Sequence, residues 1–418
     1  MGTNPNAARP VVDFDFGAAR SRHDSDEAWR SLREARCPVA WTEHSGGHWV
    51  ITGYDAVAAA FRDWERFSSE RTDPDRCAIS FSNGKVPLCL PEESDPPAWQ
   101  GYRRAIAPIL SPQASERLRA RAEHWTTYYL DQVVERGECE LVDDLTCPVP
   151  AAVTLEWMGF PREEWQWFSD AFHGVSAYPN GTPEHRKATE AYAVVMTRIT
   201  EELRARIASP RDDALTAIAH TEIDGVRISE DVAQSIAFLT VTGGIDTTTS
   251  FTGAALIHLS QHPDDRARLI ADPQLLPVAT EEFLRYYPPA RTHARTVAVD
   301  TVFEGVEMRK GERVLLSEVA SGRDESAFAN ADEFVIDRSP NRHLAFGVGI
   351  HRCPGSHLAR MEFQEMITAV LRRMPDYVIA PEAIEEYPDW AMVGGWRRLP
   401  ATFTPTAAAI SRCDEPSA

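Results

Sequence analysis

Apolar and polar positions along the chain follow two periods. After residue 36, Val39-Ala40-Trp41 and His48-Trp49-Val50-Ile51-Thr52 read as short strands around a Ser45-Gly46-Gly47 turn. From Asp55 to Phe67 the apolar spacing becomes helical. Residues 70–98 lose both periods and are rich in Pro, Asp and Ser, so this long loop is expected to be functional or disordered. From Pro97 to about Asp231 helical spacing dominates, with breaks near Gly137, Pro148, Gly159-Phe160-Pro161, 176–183 and Ser209-Pro210. Ser229, followed by Glu230 and Asp231, predicts the cap and acidic first turn of a long helix. Helices resume over Pro263 to Tyr286, and strands are expected at Thr296 to Val299, Val302 to Glu307 and Arg313 to Leu316. After Cys353 a last helix runs to about Met374. The pattern predicts a mainly α chain with small peripheral β-sheets, and no strand–helix alternation supports a doubly wound sheet.

Composition narrows the class. At 418 residues the chain exceeds the usual domain size, yet no low-complexity linker divides it. Its seven cysteines are scattered without paired spacing, which fits a reducing, cytoplasmic compartment. The N-terminal stretch is polar and carries no apolar signal core or anchor. The most apolar long window, about Val232 to Leu259, contains Asp246 and several Thr and Gly, and reads as a buried helix. A net charge of −20 argues against nucleic acid or an anionic membrane as partner. Against that background Arg103, Arg104, Arg117, Arg119, Arg121, Arg352 and Arg360 gather in two segments. They are either solvated helix faces or a basic docking patch.

Two segments carry candidate chemistry. In Phe346-Gly347-Val348-Gly349-Ile350-His351-Arg352-Cys353-Pro354-Gly355 a lone cysteine lies between a glycine-rich turn and an expected helix start. Pro354 suits a first helical position, and unpaired N–H groups of a helix start favour thiolate at Cys353. A zinc site is the alternative, with His343, His351 and His357 nearby, but no second cysteine stands at ligand spacing. In Thr242-Gly243-Gly244-Ile245-Asp246-Thr247 adjacent glycines weaken a helix interior by about 1 kcal/mol each, which asks for a reason. Close helix packing is one reason; a groove for a flat cofactor beside an acid–alcohol pair is the other.

The cysteine segment resembles the haem-binding loop of cytochromes P-450, in which the thiolate is the axial ligand of haem iron. The likeness covers about residues 40 to 405, with four motifs in family order. It implies a single-domain cytochrome P-450 fold over 36–405, α-rich and β-rich regions around a buried haem, after an N-terminal arm and first helix (1–35) and before a polar tail (406–418). By this match Cys353 binds iron, while Phe346, Gly347, His351 and Gly355 shape the haem loop. Asp246 and Thr247 resemble the oxygen-activation motif and would deliver protons during dioxygen activation. Glu282 and Arg285 match the Glu-x-x-Arg pair, with Arg338 as the third member of a buried structural brace. Arg103, Arg295 and His351 would hold the propionates with Trp99, which stands where histidine is usual and donates an N–H without charge. Leu239, Thr242, Gly243, Arg291, His293 and Val393 would surround the substrate. Arg291 and His293 are unusual in an apolar lining, so one or both are expected to bind a carboxylate or polar group of the substrate, unless strand alternation turns them away.

The resemblance therefore implies a haem-thiolate monooxygenase of secondary metabolism that uses haem b and O2 to hydroxylate a small organic substrate. Electrons would come from NAD(P)H through a ferredoxin and its reductase, the ferredoxin docking on the proximal face near Cys353, since no flavin- or nicotinamide-binding domain is evident. The enzyme is expected to be a cytoplasmic monomer. Alternatives on the same fold are coupling, desaturation and peroxide-driven oxidation. A non-catalytic haem-thiolate binding or sensor protein is a further one, against which Asp246 and Thr247 argue, because ligand binding needs neither.

Overall fold

Helix starts in this chain are set by short oxygen-bearing side chains. The computed structural model describes residues 9–35, 37–81, 86–179 and 181–409. Ser21 caps α1 (Arg22–Glu34), accepting from the Asp24 N–H. The next functional helix, α2 (Ala98–Ile106), follows the 70–98 loop. Helix α3 (Trp165–Ala177) packs beside α4 (Pro183–Ala208), which Thr182 caps with Pro183 in first position. Ser229 caps α5 (Glu230–Gln261) by accepting from Val232, as its sequence predicts. At 32 residues α5 is about 48 Å long, and it is buried by α3, α4 and the cysteine helix. Helix α6 (Leu276–Tyr286) carries the Glu-x-x-Arg pair, and α7 (Ser356–Arg373) follows the cysteine loop.

The main sheet contains β1 (Val39–Thr42), β2 (His48–Ile51), β3 (Phe67–Ser68), β4 (Thr292–Val297) and β5 (Arg313–Ser317). Their spatial order is β1-β2-β5-β4-β3, with only the β2–β5 pair parallel. Small two- and three-stranded sheets complete the mainly α architecture. Among the described residues no helix is long and apolar enough to cross a membrane.

Several boundaries differ from the sequence pattern. The helix expected over Asp55 to Phe67 ends at Arg62, and Phe67 pairs with Val297 as strand. The strand expected at Thr296 starts at Thr292. The single strand expected over Val302 to Glu307 is a hairpin, Thr301–Phe303 with Val306–Met308, because Glu304 and Gly305 take φ of 48° and 80°.

The described part of the 70–98 loop is ordered, and buried cations organise it. Arg71 pairs with Glu93 and donates to the Val86 carbonyl at 2.7 Å. The Arg313 guanidinium from β5 bonds the carbonyls of Cys77, Ala78 and Ser80 at 3.1, 3.1 and 2.9 Å. A loop without its own ladder thereby satisfies its backbone acceptors from outside.

The described part of the N-terminal arm is hydrogen-bonded to the rest of the chain. Val12 N–H donates to Trp41 O at 2.8 Å, and Arg33 of α1 reaches Asp332 at 2.8 Å. At the other end Thr406 N–H donates to Val134 O at 2.9 Å; residues 410–418 of the expected tail lie outside the described residues.

Candidate functional site

The cysteine loop is a knot of short backbone bonds. Gly347 N–H donates to Leu344 O at 2.7 Å and Cys353 N–H to Phe346 O at 2.8 Å. Gly347 and Gly349 have φ of 61° and 83°, which a side chain resists. They differ in surroundings: a Cβ on Gly349 would stand 2.7 Å from the Phe61 carbonyl, whereas one on Gly347 would meet open space. The Phe346 ring is held by the Arg360 guanidinium, 4.5 Å from its centre.

The helix begins at Ser356, so Pro354 is not its first residue, and Gly355 is the cap. The Gly355 N–H at this helix start still favours the thiolate, as the sequence leads one to expect. Burial, the largest influence, pushes the Cys353 thiol up, and the Gly355 N–H, Arg103 and Arg352 only oppose it. A bound metal cation deprotonates such a ligand outright. Among the described residues no three His, Cys, Asp or Glu converge as a metal set, so the zinc alternative has no ligands.

Four donors gather here, Trp99 and Arg103 from α2, Arg295 from β4 and His351 from the loop itself. Arg103 of α2 bonds the Arg352 carbonyl at 2.7 Å. His351 Nε2 lies 2.9 Å from Ser69 Oγ and 3.9 Å from Asp95, and the Trp99 ring stands 6.1 Å from the His351 ring. Trp99 Nε1 is buried without a hydrogen-bond partner. Arg295 of β4 is 2% exposed, yet its guanidinium bonds only the Ala294 carbonyl, at 2.7 Å, among the described residues. A buried cation without a close carboxylate and a buried indole without an acceptor are both costly. They fit the two carboxylates of the flat cofactor that the resemblance implies.

The glycine pair of α5 divides its work. A Cβ on Gly244 would stand 2.6 Å from Thr154 Oγ1, so this glycine permits close helix packing. One on Gly243 would meet nothing within 4 Å, and Thr242 Oγ1 has no partner. Thr247 donates back to the Gly243 carbonyl at 3.1 Å on the same open side. Leu239 packs half-buried on the core one turn earlier.

Asp246 turns elsewhere. Neighbouring helical residues diverge by about 100°, and the Asp246 carboxylate lies 2.5 Å from Nδ1 of His173 on α3. Tyr387 OH reaches the same nitrogen at 3.0 Å. His173 and Tyr387 escape sequence reading, because a histidine in an aromatic helix and a tyrosine in a loop carry no spacing signal.

Glu282, Arg285 and Arg338 meet in one buried network. Both oxygens of Glu282 accept from Arg285 at 2.7 Å, from Arg338 Nε at 3.1 and 3.0 Å, and from Val335 N–H and Asn341 at 2.7 and 2.9 Å.

The expectation for Arg291 and His293 is corrected. Arg291 is 3% exposed and turns to α1, bonding Asp26 at 2.5 Å and Ser25 at 2.9 Å. His293 bridges Glu318, in a short contact, and Glu92 at 3.4 Å. Burial by itself would lower this imidazole; the two carboxylates outweigh it and push it up to about 10. Neither cation is free for a substrate. Val393 bridges Ala290 beside this strand. Of the arginine patch, Arg119, Arg121 and Arg360 are paired with glutamates, whereas Arg104, Arg117 and Arg352 are exposed with no ion-pair partner among the described residues.

A family model described as Cytochrome P450 matches residues 162–375. Steroid C26-monooxygenase of Mycolicibacterium smegmatis is 32% identical over 408 residues, covering 96% of this chain and 98% of that protein. The structure of the bacillaene polyketide synthase cytochrome P450 PksS from Bacillus subtilis 168 superposes with a TM-score of 0.83 at 26% identity, covering 94% and 100% of the two chains. P450BioI in complex with an acyl carrier protein ligated to hexadec-9Z-enoic acid gives 0.80 at 26% identity, covering 91% and 98%.

Proposed function

This chain belongs to the cytochrome P450 family of haem-thiolate monooxygenases, and from that premise we propose which residues perform the chemistry and on what kind of molecule. It takes electrons from a separate redox partner and oxidises a small organic substrate. When bound, the haem supplies dioxygen activation, with the thiolate pushing electron density to aid O–O cleavage.

Cys353 is the iron ligand, and Trp99, Arg103, Arg295 and His351 hold the propionates. The observation that carries this reading is the combination of clearings over Gly347 and Gly243 with a buried, unpartnered N–H at Trp99 and a buried Arg295 guanidinium that has no ion-pair partner among the described residues. Thr247, on the open side, donates a hydrogen bond without titrating; Asp246 carries protons inward from water when it leaves His173. Glu282, Arg285 and Arg338 brace the cysteine loop.

The substrate is an uncharged or weakly polar molecule of steroid or polyketide size. Its support is negative and positive at once: Arg291 and His293 are spent on Asp26, Glu318 and Glu92, and the relatives named above act on steroids and in polyketide synthesis. An acidic ferredoxin docks on the proximal face through Arg104, Arg117 and Arg352, steered by charge. The deciding experiment reduces the haem-loaded protein under CO. A thiolate-type red-shifted Soret band, lost in Cys353→Ser, supports the assignment; its persistence in that variant refutes it. A spin-state titration across acids and neutrals then tests the substrate class, and tight binding confined to acids overturns it.

A further inference from the structure

Where α1 lies across the C-terminal ends of α5 and α6, a partly open cavity of about 240 Å³ lies between them. Gln261, the last residue of α5, lines it. At 1.5 Å per residue it lies roughly 21 Å along the helix from Thr247. The cavity is thus separate from the oxygen end of the enzyme.

Four arginines line this space, Arg22, Arg30, Arg33 and Arg323, of which Arg30 pairs with Glu27 at 3.0 Å. The two carboxylates beside them are already engaged. Asp26 pairs with Arg291 at 2.5 Å, and Asp332 pairs with Arg33 at 2.8 Å. Arg323 has Asp332 only at 3.9 Å, and Arg22 has no ion-pair partner among the described residues. Both cations lie over tyrosine rings that orient them. The Arg323 guanidinium is 3.4 Å from the centre of Tyr286, and that of Arg22 is 5.0 Å from Tyr287.

The Arg323 side chain is 10% exposed, and its Nε has no hydrogen-bond partner; Arg33 Nε is buried in the same state. Buried donors of this kind are costly until an acceptor arrives. A planar guanidinium fork matches a carboxylate best. The cavity equals the liquid volume of about eight waters at ~30 Å³ each, more than a bare oxyanion fills. Trp29 and Val319 supply apolar wall for the remainder.

We propose that this cavity is a second binding site, for a small organic carboxylate held by Arg22 and Arg323 with its carbon body against Trp29 and the tyrosine rings. Occupancy ties α1 to the brace below the cysteine loop. The Arg323 carbonyl accepts from Arg33 of α1, and the preceding Gly322 carbonyl accepts from Arg285 at 2.6 Å. Binding at this site therefore raises thermal stability by mass action and leaves the iron environment untouched.

The test titrates haem-loaded, full-length protein calorimetrically with benzoate and succinate, with benzamide and inorganic phosphate as comparison probes. Saturable one-to-one binding of benzoate or succinate is expected, with a higher Tm, an unmoved Soret band and no response to benzamide. Affinity should fall at least about tenfold in Arg22→Gln and in Arg323→Gln, and stay unchanged in Arg309→Gln, an exposed hairpin residue. Arg323→Gln also removes a bond to the Tyr286 carbonyl. A second readout on wild-type protein is therefore independent of folding: carboxylate should protect Arg22 and Arg323 from phenylglyoxal, read by peptide mass. Absence of saturable carboxylate binding, binding of phosphate alone, a Soret shift on binding, or affinity unchanged in both variants would each overturn the proposal.

Discussion

Nδ1 of His173 stands 2.5 Å from Oδ1 of Asp246, joining α3 to the middle of α5. Both side chains are 12% exposed. Burial by itself would make the imidazole give up its proton. The Cys147 sulfur and the Asp246 carboxylate outweigh it, and His173 holds its proton well above the usual range. The acid expected to serve oxygen chemistry is therefore held by a cation on the neighbouring helix.

Removing that cation leaves a buried carboxylate uncompensated. His173→Leu should cost about 3–5 kcal/mol in denaturant unfolding. Adding Asp246→Asn should recover part of the loss, because the stranded charge is gone. If the two substitutions add within about 0.5 kcal/mol, the pair is not coupled.

Glu282 is fully buried and serves five donors. Glu282→Gln keeps the shape but strands Arg285 and Arg338, so a loss of about 3–5 kcal/mol is expected. The adjacent Glu281 pairs with Arg360, whose guanidinium lies over Phe346 of the cysteine loop, so haem should dissociate faster from the variant into apomyoglobin. Unchanged stability and retention would remove the brace from the account.

Arg291 faces Asp26 rather than the substrate. Arg291→Ala should shift the affinities of acidic and neutral ligands equally, measured by spin-state titration, while lowering Tm. A selective loss of acids would return this arginine to the pocket.

His293 gives the fold a pH signature. Its pKa is pushed up to about 10 from an ordinary value near 6.5. The folded state thus retains a proton that the unfolded chain gives up. The stabilisation is complete below about pH 6.5, shrinks as pH rises, and is gone above 10, with an upper bound of about 5 kcal/mol. Wild-type Tm should fall more steeply between pH 7 and 10 than that of His293→Gln. Parallel curves would show that the bridge to Glu318 and Glu92 contributes nothing.

Elements whose signals are local were legible in the chain. Ser229 and its acidic followers mark the start of α5 because a cap and a helix dipole act within one turn. The Gly347–Cys353 turn is legible because left-handed backbone demands glycine at fixed offsets. Elements that end through tertiary pairing are not legible in this way: Phe67 continues a helical pattern but is captured by Val297. The start of α7 also moved, since the backbone after Cys353 takes one more turn before Ser356.

Side-chain pairing required the fold. Gly243 and Gly244 are adjacent and identical in sequence, yet one faces open space and the other Thr154. Arg291 and His293 share a strand face by alternation, but their environments come from α1 and from Glu318 and Glu92, distant in the chain. By itself the sequence determined which residue types could bind a flat anionic cofactor, hold a proton or close a turn, because those properties depend on atoms within a few residues. Only the tertiary structure decided which cations remain unpaired and where each points. Coulomb energy and desolvation depend on distance in space, and helices that meet side by side bring together residues as far apart in the chain as His173 and Asp246.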